Sequence, residues 1–129
     1  MNLLVDTRLL LQAAGEPQKL SPAARRLLDD AANELWFSAA SLWEVAAKQA
    51  LGRADLRADP RRLRRELLAH GWQELAISGE HALATGDLPP TLKDPFDRML
   101  LAQAAAEGLT LVTSDVAVAR VAGGRVRQV

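Results

Sequence analysis

Short apolar runs alternate along this chain with longer segments whose apolar spacing and capping residues indicate helices. Runs that are apolar at successive positions are typical of strands buried on both faces, as in a parallel sheet. The candidate strands are Asn2 to Val5, Leu35 to Phe37, Leu75 to Ile77, Leu109 to Val112 and Val126 to Val129. Because strands that alternate with helices imply a parallel sheet covered on both faces, the sequence predicts an α/β fold.

Four helix starts have specific capping signals. Three of them combine a capping side chain with proline at the next position, namely Ser21-Pro22, Asp59-Pro60 and Asp94-Pro95. Ser41 stands three residues before Glu44, a capping-box spacing that predicts a helix from Ser41 to Gly52. The helix that begins at Pro95 is expected to end at Gly108.

Composition restricts the classes of protein that remain. The 129 residues suit one domain, residues 1–129, and 16 basic residues balance 16 acidic ones, so net charge indicates neither nucleic acid nor membrane. The chain has no Cys, so any metal must use oxygen or nitrogen ligands. No apolar run approaches the roughly 18 residues of a membrane span, and no signal peptide is recognisable, so we expect a cytoplasmic protein.

Acidic residues occur where a parallel sheet would place a ligand site. Asp6 and Asp115 follow apolar strands, and Glu44 and Asp97 lie near the starts of predicted helices. Open parallel sheets bind ligands beyond the carboxyl ends of their strands, so the four side chains are expected to converge. Neighbouring carboxylates either take up protons or bind a hard divalent cation. The sequence therefore predicts a site for Mg²⁺ or Mn²⁺.

Each acid also has a purely structural interpretation. Asp6 and Asp115 could be helix caps, Glu44 could complete the box with Ser41, and Asp97 could interact with the helix dipole. Signatures of phosphate-binding loops, dinucleotide folds, serine hydrolases and zinc proteases are absent from the sequence. Surface or packing roles are favoured for the two histidines, His70 and His81. Core packing is favoured over base stacking for the three tryptophans, Trp36, Trp43 and Trp72.

Basic residues allow two interpretations. The segment from Arg53 to Arg65 is rich in arginine and forms either a solvated helix face or a rim that follows phosphates. Arg8 and Arg98 lie beside proposed acids and either contact substrate or pair with those acids. The sequence does not choose between these interpretations.

Four segments, in this order, resemble the PIN-domain family, specifically the VapC-type toxins of bacterial toxin–antitoxin pairs. They are Asn2 to Thr7, Ser38 to Val45, Asp94 to Ala104 and Leu111 to Asp115. The resemblance implies a three-layer α/β/α fold with a central, mostly parallel sheet of four or five strands. It also implies that Asp6, Glu44, Asp97 and Asp115 form the catalytic metal site.

The resemblance further implies an activity and partners. The activity is a Mg²⁺- or Mn²⁺-dependent endoribonuclease, the toxin of a type II toxin–antitoxin system, which leaves a 5′-phosphate and a 3′-hydroxyl. The implied partners are RNA, a small cognate antitoxin and a second copy of the chain. Secondary candidates for the site are Asp94, Thr113, Ser114 and Arg98.

The sequence departs from the family pattern at two places. Arg8 replaces a His that many relatives have, which puts substrate contacts in doubt, and residues 116–119 lack aromatic side chains, which puts a final helix in doubt. Two other functions remain open: a non-catalytic PIN-like module that binds nucleic acid or protein, and a Mg²⁺-dependent phosphohydrolase of the α/β class. The presence of all four acids favours the nuclease.

Overall fold

The strands form one parallel sheet. The structure is a computed structural model that describes residues 1–52, 58–121 and 125–129. In these residues the sheet has five strands in the order β3-β2-β1-β4-β5, and every neighbouring pair is parallel. The strands are β1 (Asn2–Val5), β2 (Glu34–Ser38), β3 (Gln73–Leu75), β4 (Thr110–Thr113) and β5 (Val126–Gln128). The predicted parallel α/β sheet is confirmed.

Helices connect the strands. They are α1 (Thr7–Gly15), α2 (Pro22–Asp29), α3 (Ala39–Ala50), α4 (Pro60–Ala69), α5 (Gly79–Ala84), α6 (Pro95–Glu107) and α7 (Val116–Ala119). Ser21, Asp59 and Asp94 cap α2, α4 and α6 through side-chain oxygens, as their proline-containing signals predict. Gly108 ends α6 with φ of 67°, a left-handed conformation that glycine adopts without steric cost.

The capping box predicted at Ser41 is wrong. The helix begins earlier, at Ala39, because β2 passes into α3 without a loop and the Ser38 hydroxyl caps the helix by accepting from Ala40 N at 2.9 Å. Glu44 consequently lies in the second turn. Ser41 is fully buried, and its oxygen accepts a hydrogen bond from the Thr7 hydroxyl at 2.9 Å, which ties α3 to α1.

Other boundaries differ by a few residues. The third strand, β3, begins and ends two residues earlier than the predicted run from Leu75 to Ile77. α2 ends at Asp29, several residues before the stop expected near Asn33. A short helix does follow Asp115, which settles the doubt about residues 116–119.

The sheet is covered on both faces. In β1 the side chains of Leu3 and Val5 join one core cluster, which contains residues of α1, α2 and α4. The intervening Leu4 joins a second cluster, which contains residues of α6 and α7. This alternation follows from the two-residue period of a strand. The expected three-layer α/β/α arrangement is confirmed, and burial of each of these leucine side chains stabilises the fold by roughly 1.5–3 kcal/mol.

The order of the strands sets the position of the site. From β1 the chain builds outward to β2 and β3 on one side, and β4 and β5 lie on the other side. The direction in which successive strands are added therefore reverses between β1 and β4. Parallel α/β sheets bind ligands at such a reversal point, beyond the carboxyl ends of the strands. No helix in residues 1–52, 58–121 or 125–129 has the length and apolarity to cross a membrane.

Candidate metal centre

Asp6 stands at the end of β1, at the reversal point of the sheet. Its Oδ1 accepts a hydrogen bond from Leu9 N at 2.9 Å and thereby caps α1, and its Oδ2 accepts one from the Thr113 hydroxyl at 2.6 Å. Burial raises the pKa of the Asp6 carboxyl above its usual range, and these hydrogen bonds oppose that shift. The cap interpretation is therefore correct, but it leaves each oxygen a lone pair for a further ligand.

Asp115 lies next to Asp6 across the β1–β4 junction. Its Oδ1 accepts hydrogen bonds from Ala117 N at 2.8 Å and Val118 N at 3.4 Å, so it caps α7. The Asp115 N–H donates to the Thr113 hydroxyl at 3.0 Å. Thr113 thus contacts both acids from a fully buried position, which is the kind of orienting contact expected for a polar residue beside a metal site.

The first turn of α6 contributes two acids. Asp94 Oδ1 caps the helix by accepting from Phe96 N at 2.8 Å and Asp97 N at 3.0 Å. The pKa of Asp97 is raised to about 7, first by burial and then by repulsion from Asp94, Glu44, Asp115 and Asp6. Asp97 therefore experiences the charge of every other acid in the group.

Glu44 has a partner that the sequence interpretation missed. Lys48 Nζ lies 2.5 Å from Glu44 Oε2, and both side chains are partly buried. The four-residue spacing on one helix was the available signal. In this arrangement the charge of Glu44 is compensated by the lysine.

The acids converge on one cavity. A cavity of about 170 Å³ is lined by Asp6, Thr7, Arg8, Glu44, Asp94, Asp97, Ser114 and Asp115. All four acids singled out in the sequence are in this lining, together with two secondary candidates, Asp94 and Ser114. Thr113 lies beneath it and reaches it through Asp6.

The donor set suits a hard divalent cation, although the carboxylates are not yet gathered around one point. Among the described residues, no group of three or more Asp, Glu or His side chains is close enough to hold a metal ion as it stands. The cause is visible in the contacts: Asp6, Asp94 and Asp115 turn oxygens toward helix N–H groups, and Glu44 turns toward Lys48. Carboxylates that repel one another in a shared cavity fit Mg²⁺ or Mn²⁺, since a cation removes the repulsion that keeps them apart.

A larger cavity is unrelated to these acids. Its volume is about 350 Å³, and its lining includes Leu20, Leu28, Leu67 and Trp72 but none of the four acids. Two further cavities of about 390 Å³ each also contain none of the four acids in their linings. Titratable groups that share one electrostatic environment are a better indicator of chemistry than cavity size. We therefore place the candidate site at the smaller, acidic cavity.

Arg98 does not line the acidic cavity. Its guanidinium donates to four backbone carbonyls of the segment before α6, at distances of 2.5 to 3.1 Å, which belong to Thr85, Leu88, Pro89 and Leu92. These bonds use the planar donor fork of arginine to hold that segment against the helix. The geometry indicates a structural contact instead of a substrate contact.

Part of the arginine-rich segment is paired. Arg53 and Arg57 lie outside the described residues. Arg62 pairs with Glu66 at 2.9 Å, and Arg64 pairs with Glu74 at 2.6 Å. Neither lines the acidic cavity, so the solvated-face interpretation is favoured for these two residues.

The tryptophans and histidines differ in their surroundings. Trp36 and Trp72 pack against the core clusters, but Trp43 is 56% exposed, so the core-packing interpretation is wrong for Trp43. His81 is buried, its Nδ1 accepts from Ser78 N at 3.0 Å, and its Nε2 lies 2.8 Å from Glu107 Oε1. A packing role for His81 agrees with these contacts.

A buried glutamine, Gln103, was not recognised as a structural residue from the sequence. Its Oε1 accepts from the Ser38 hydroxyl at 2.5 Å, and its Nε2 donates to Ala76 O at 3.3 Å. These bonds join α6 to the ends of β2 and β3. The signal was a lone amide among apolar residues on the buried face of a helix.

Comparison with solved structures shows the same fold. VapBC2 of Rickettsia felis, solved bound to a DNA fragment from its promoter, has a TM-score of 0.72 and 16% identity, covering 99% of this chain and 98% of that one. A toxin–antitoxin complex of Klebsiella pneumoniae has a TM-score of 0.66 and 19% identity, covering 98% and 96%. VapBC-1 of nontypeable Haemophilus influenzae has a TM-score of 0.64 and 20% identity, covering 99% and 98%.

A family model matches nearly the whole chain, although no individual curated protein sequence matches it. The PIN domain family model matches residues 3–124, which contain every acid of the cavity. The chain therefore belongs to the PIN domain family.

Proposed function

We propose that this protein is a metal-dependent endoribonuclease and the toxin of a type II toxin–antitoxin pair of the VapC type. The observation that carries the proposal is the convergence of Asp6, Glu44, Asp97 and Asp115 on one cavity at the reversal point of the sheet. The family assignment agrees with nuclease chemistry, and the similar solved structures include VapBC and toxin–antitoxin complexes.

The proposed metal is Mg²⁺ or Mn²⁺, with Asp6, Asp97 and Asp115 as ligands and Glu44 as a ligand or as the group that orients water. A bound cation would lower the pKa of a coordinated water and stabilise charge on the phosphate oxygens. Asp94 keeps the start of α6 in place, so that Asp97 points into the cavity lining. Binding of a cation would also displace the proton that Asp97 retains near neutral pH.

Arg8 is the residue proposed to meet the phosphate. It is exposed, and it is the only basic side chain in the lining of this cavity, within the part of the chain that is described. A guanidinium can hold two oxygens of one phosphate, which would draw an RNA backbone toward a pocket that otherwise repels it.

The partners are inferred from the similar complexes. We infer a small cognate antitoxin, since the solved relatives from Rickettsia felis and Haemophilus influenzae are VapBC assemblies. We also propose that residues 1–129 act as one cytoplasmic domain that forms a homodimer, as the resemblance and composition imply.

The test is cleavage of a mixed pool of RNA by the purified protein in Mg²⁺, Mn²⁺ or EDTA, followed by mapping of the ends. We expect cleavage in either metal, 5′-phosphate ends, and loss of cleavage in EDTA. Asp97→Asn should lower the rate by orders of magnitude, whereas Asp29→Asn, at an exposed residue outside the acidic cavity, should not.

The alternatives correspond to different results of the same test. RNA that is bound but never cut would favour a non-catalytic binding module. Hydrolysis of phosphate monoesters without cleavage of RNA would favour a phosphohydrolase. An Asp97→Asn variant that cuts RNA at the normal rate would remove the acid cavity from the mechanism.

A further inference from the structure

Trp43 and Phe96 form an aromatic pair at the protein surface. Their ring centroids are 4.9 Å apart, and the ring planes are inclined by 70°, which is an edge-to-face contact. Trp43 is nevertheless 56% exposed. A large aromatic ring that the core does not bury, but that a second ring holds in place, is available to another molecule.

The pair stands directly beside the acidic cavity. Trp43 precedes Glu44 on α3, and Phe96 precedes Asp97 on α6, and both of these acids line the cavity. Consecutive residues of a helix point about 100° apart, so the rings belong to the rim and do not line the cavity itself. The rings therefore bridge the two helices that supply Glu44 and Asp97.

We propose that Trp43, held by Phe96, is a stacking platform for a nucleobase of single-stranded RNA next to the phosphate that is cut. This inference rests on the proposed ribonuclease function. A phosphodiester bound at the acids brings one of its flanking bases to the rim. Stacking on an aromatic ring contributes affinity for any base, because every base has a π-face.

Stacking also compensates for an unfavourable feature of the cavity. The acids repel the RNA backbone, and among the described residues Arg8 alone offers a positive charge in the cavity lining. Contact with a base does not depend on neutralising phosphate, so this part of the affinity should be insensitive to salt.

A second copy of this chain fits the surface less well. Stable protein interfaces bury about 800 Å² on each partner, centred on a packed apolar patch. One turn beyond Trp43, α3 presents Ala46 and Ala47, followed by Lys48, which is engaged with Glu44. One indole among small and charged residues suits a planar base better than a protein interface.

The test measures affinity for a short labelled single-stranded RNA by fluorescence anisotropy in EDTA. Every variant carries Asp97→Asn, which removes one repelling charge and any metal-supported cleavage. Trp43→Ala should weaken binding about five- to 150-fold with an unchanged salt slope, and Trp43→Phe should keep most of the affinity. Leu83→Ala, the control at an 81%-exposed apolar residue of α5, should bind normally.

A double-mutant cycle connects the ring to a base. A set of RNAs, each lacking one base, is bound by the protein with and without Trp43→Ala. At one position, removal of the base should weaken binding as much as Trp43→Ala does, and combining the two changes should weaken binding no further. Thermal unfolding of each variant and circular dichroism verify that the protein is folded. Equal affinity of Trp43→Ala and Leu83→Ala, or additive losses at every abasic position, overturns the proposal.

Two further readouts separate this inference from the proposed function. The first is the oligomeric state, measured by light scattering. If Trp43→Ala converts a dimer to a monomer and leaves RNA affinity unchanged, Trp43 contacts a second copy of the chain and the platform is overturned. Normal abasic coupling, together with no RNA cleavage in any metal by the protein that retains Asp97, keeps the platform and rejects the ribonuclease. RNA cleavage by the protein that retains Asp97, without abasic coupling to Trp43, rejects the platform alone.

Discussion

The Thr113 hydroxyl donates a hydrogen bond to Asp6 Oδ2 at 2.6 Å, joining residues that are 107 positions apart. The same hydroxyl oxygen accepts the N–H of Asp115 at 3.0 Å. Thr113 is fully buried, so water does not compete for these bonds. One side chain thereby fixes both the direction of the Asp6 carboxylate and the turn that carries Asp115.

Replacement of this hydroxyl should affect stability and metal binding together. Thr113→Val keeps the shape of the side chain but leaves Asp6 Oδ2 and the Asp115 N–H without their partner, which should cost about 1–3 kcal/mol of unfolding free energy. Loss of an orienting contact should weaken Mn²⁺ binding about 10- to 100-fold. Urea unfolding and calorimetric titration measure the two effects. Thr113→Ser, which retains the hydroxyl, is the control, and a valine variant with normal Mn²⁺ affinity would contradict the orienting role.

The raised pKa of Asp97 predicts how stability depends on pH in metal-free buffer. The folded carboxyl has a pKa of about 7, above the ordinary value of 3.8, so between these values the folded state holds more protons than the unfolded state. Stability must then fall as pH rises from about 4 to about 7. Asp97→Asn lacks this contribution, so it should gain stability relative to the wild type across this window.

Urea unfolding of both proteins at several pH values tests the sign. The difference between them should be small near pH 4 and largest above about pH 7. Mn²⁺ at pH 8 should stabilise the wild type more than Asp97→Asn, because a ligand stabilises the state that binds it. A wild type that is more stable than the variant at pH 8 without metal would mean that burial and repulsion from neighbouring acids do not disfavour the charged form of Asp97.

The fold was predictable where the signals were local. The apolar run before Asp6 and the proline-containing caps of α4 and α6 depend only on neighbouring residues, and the structure confirms them. The spacing of Ser41 and Glu44 predicts a capping box at the start of α3, because this signal depends only on the types of two residues three positions apart. Ser38 caps the helix instead, because β2 must end where its pairing with β3 ends, a tertiary constraint that local spacing does not contain.

The convergence of acids was predictable from topology, whereas most of their contacts were not. Residues that follow parallel strands meet at one edge, which brings Asp6 and Asp115 together without any knowledge of side chains. The Lys48 pairing with Glu44 was readable from their four-residue spacing on one helix. The double contact of Thr113 and the exposure of Trp43 depend instead on how helices pack on the sheet. Such packing is set by distant residues, and a single sequence does not encode it in a readable pattern.

Arg98 should matter to folding more than to RNA binding. Its guanidinium satisfies four carbonyls of the segment before α6, so Arg98→Met should leave them unpaired and cost about 2–4 kcal/mol. Arg98→Lys should recover only part of this loss, because an ammonium lacks the planar fork. RNA affinity per folded molecule should be unchanged. A large loss of affinity in a variant of normal stability would restore the substrate-contact interpretation.

The ion pair between Lys48 and Glu44 makes the last prediction. Lys48 Nζ lies 2.5 Å from Glu44 Oε2 in a partly buried position, so the lysine competes with a cation for this carboxylate. Lys48→Met keeps the aliphatic stem and makes the pocket one charge more negative. Without metal the variant should be less stable by about 1–2 kcal/mol, because Glu44 loses its partner.

Metal affinity should change in the opposite direction. A pair of unit charges several ångströms apart near a surface interacts by about 1 kcal/mol or more, so removal of Lys48 should tighten Mn²⁺ binding about tenfold. Lys19→Met is the matched control, because Lys19 pairs with Glu16 at 2.7 Å on the exposed surface. Urea unfolding and calorimetric titration should show lower stability with tighter binding for Lys48→Met and neither change for Lys19→Met. If Lys48→Met binds Mn²⁺ more weakly, the lysine positions Glu44 for the metal and does not compete with it.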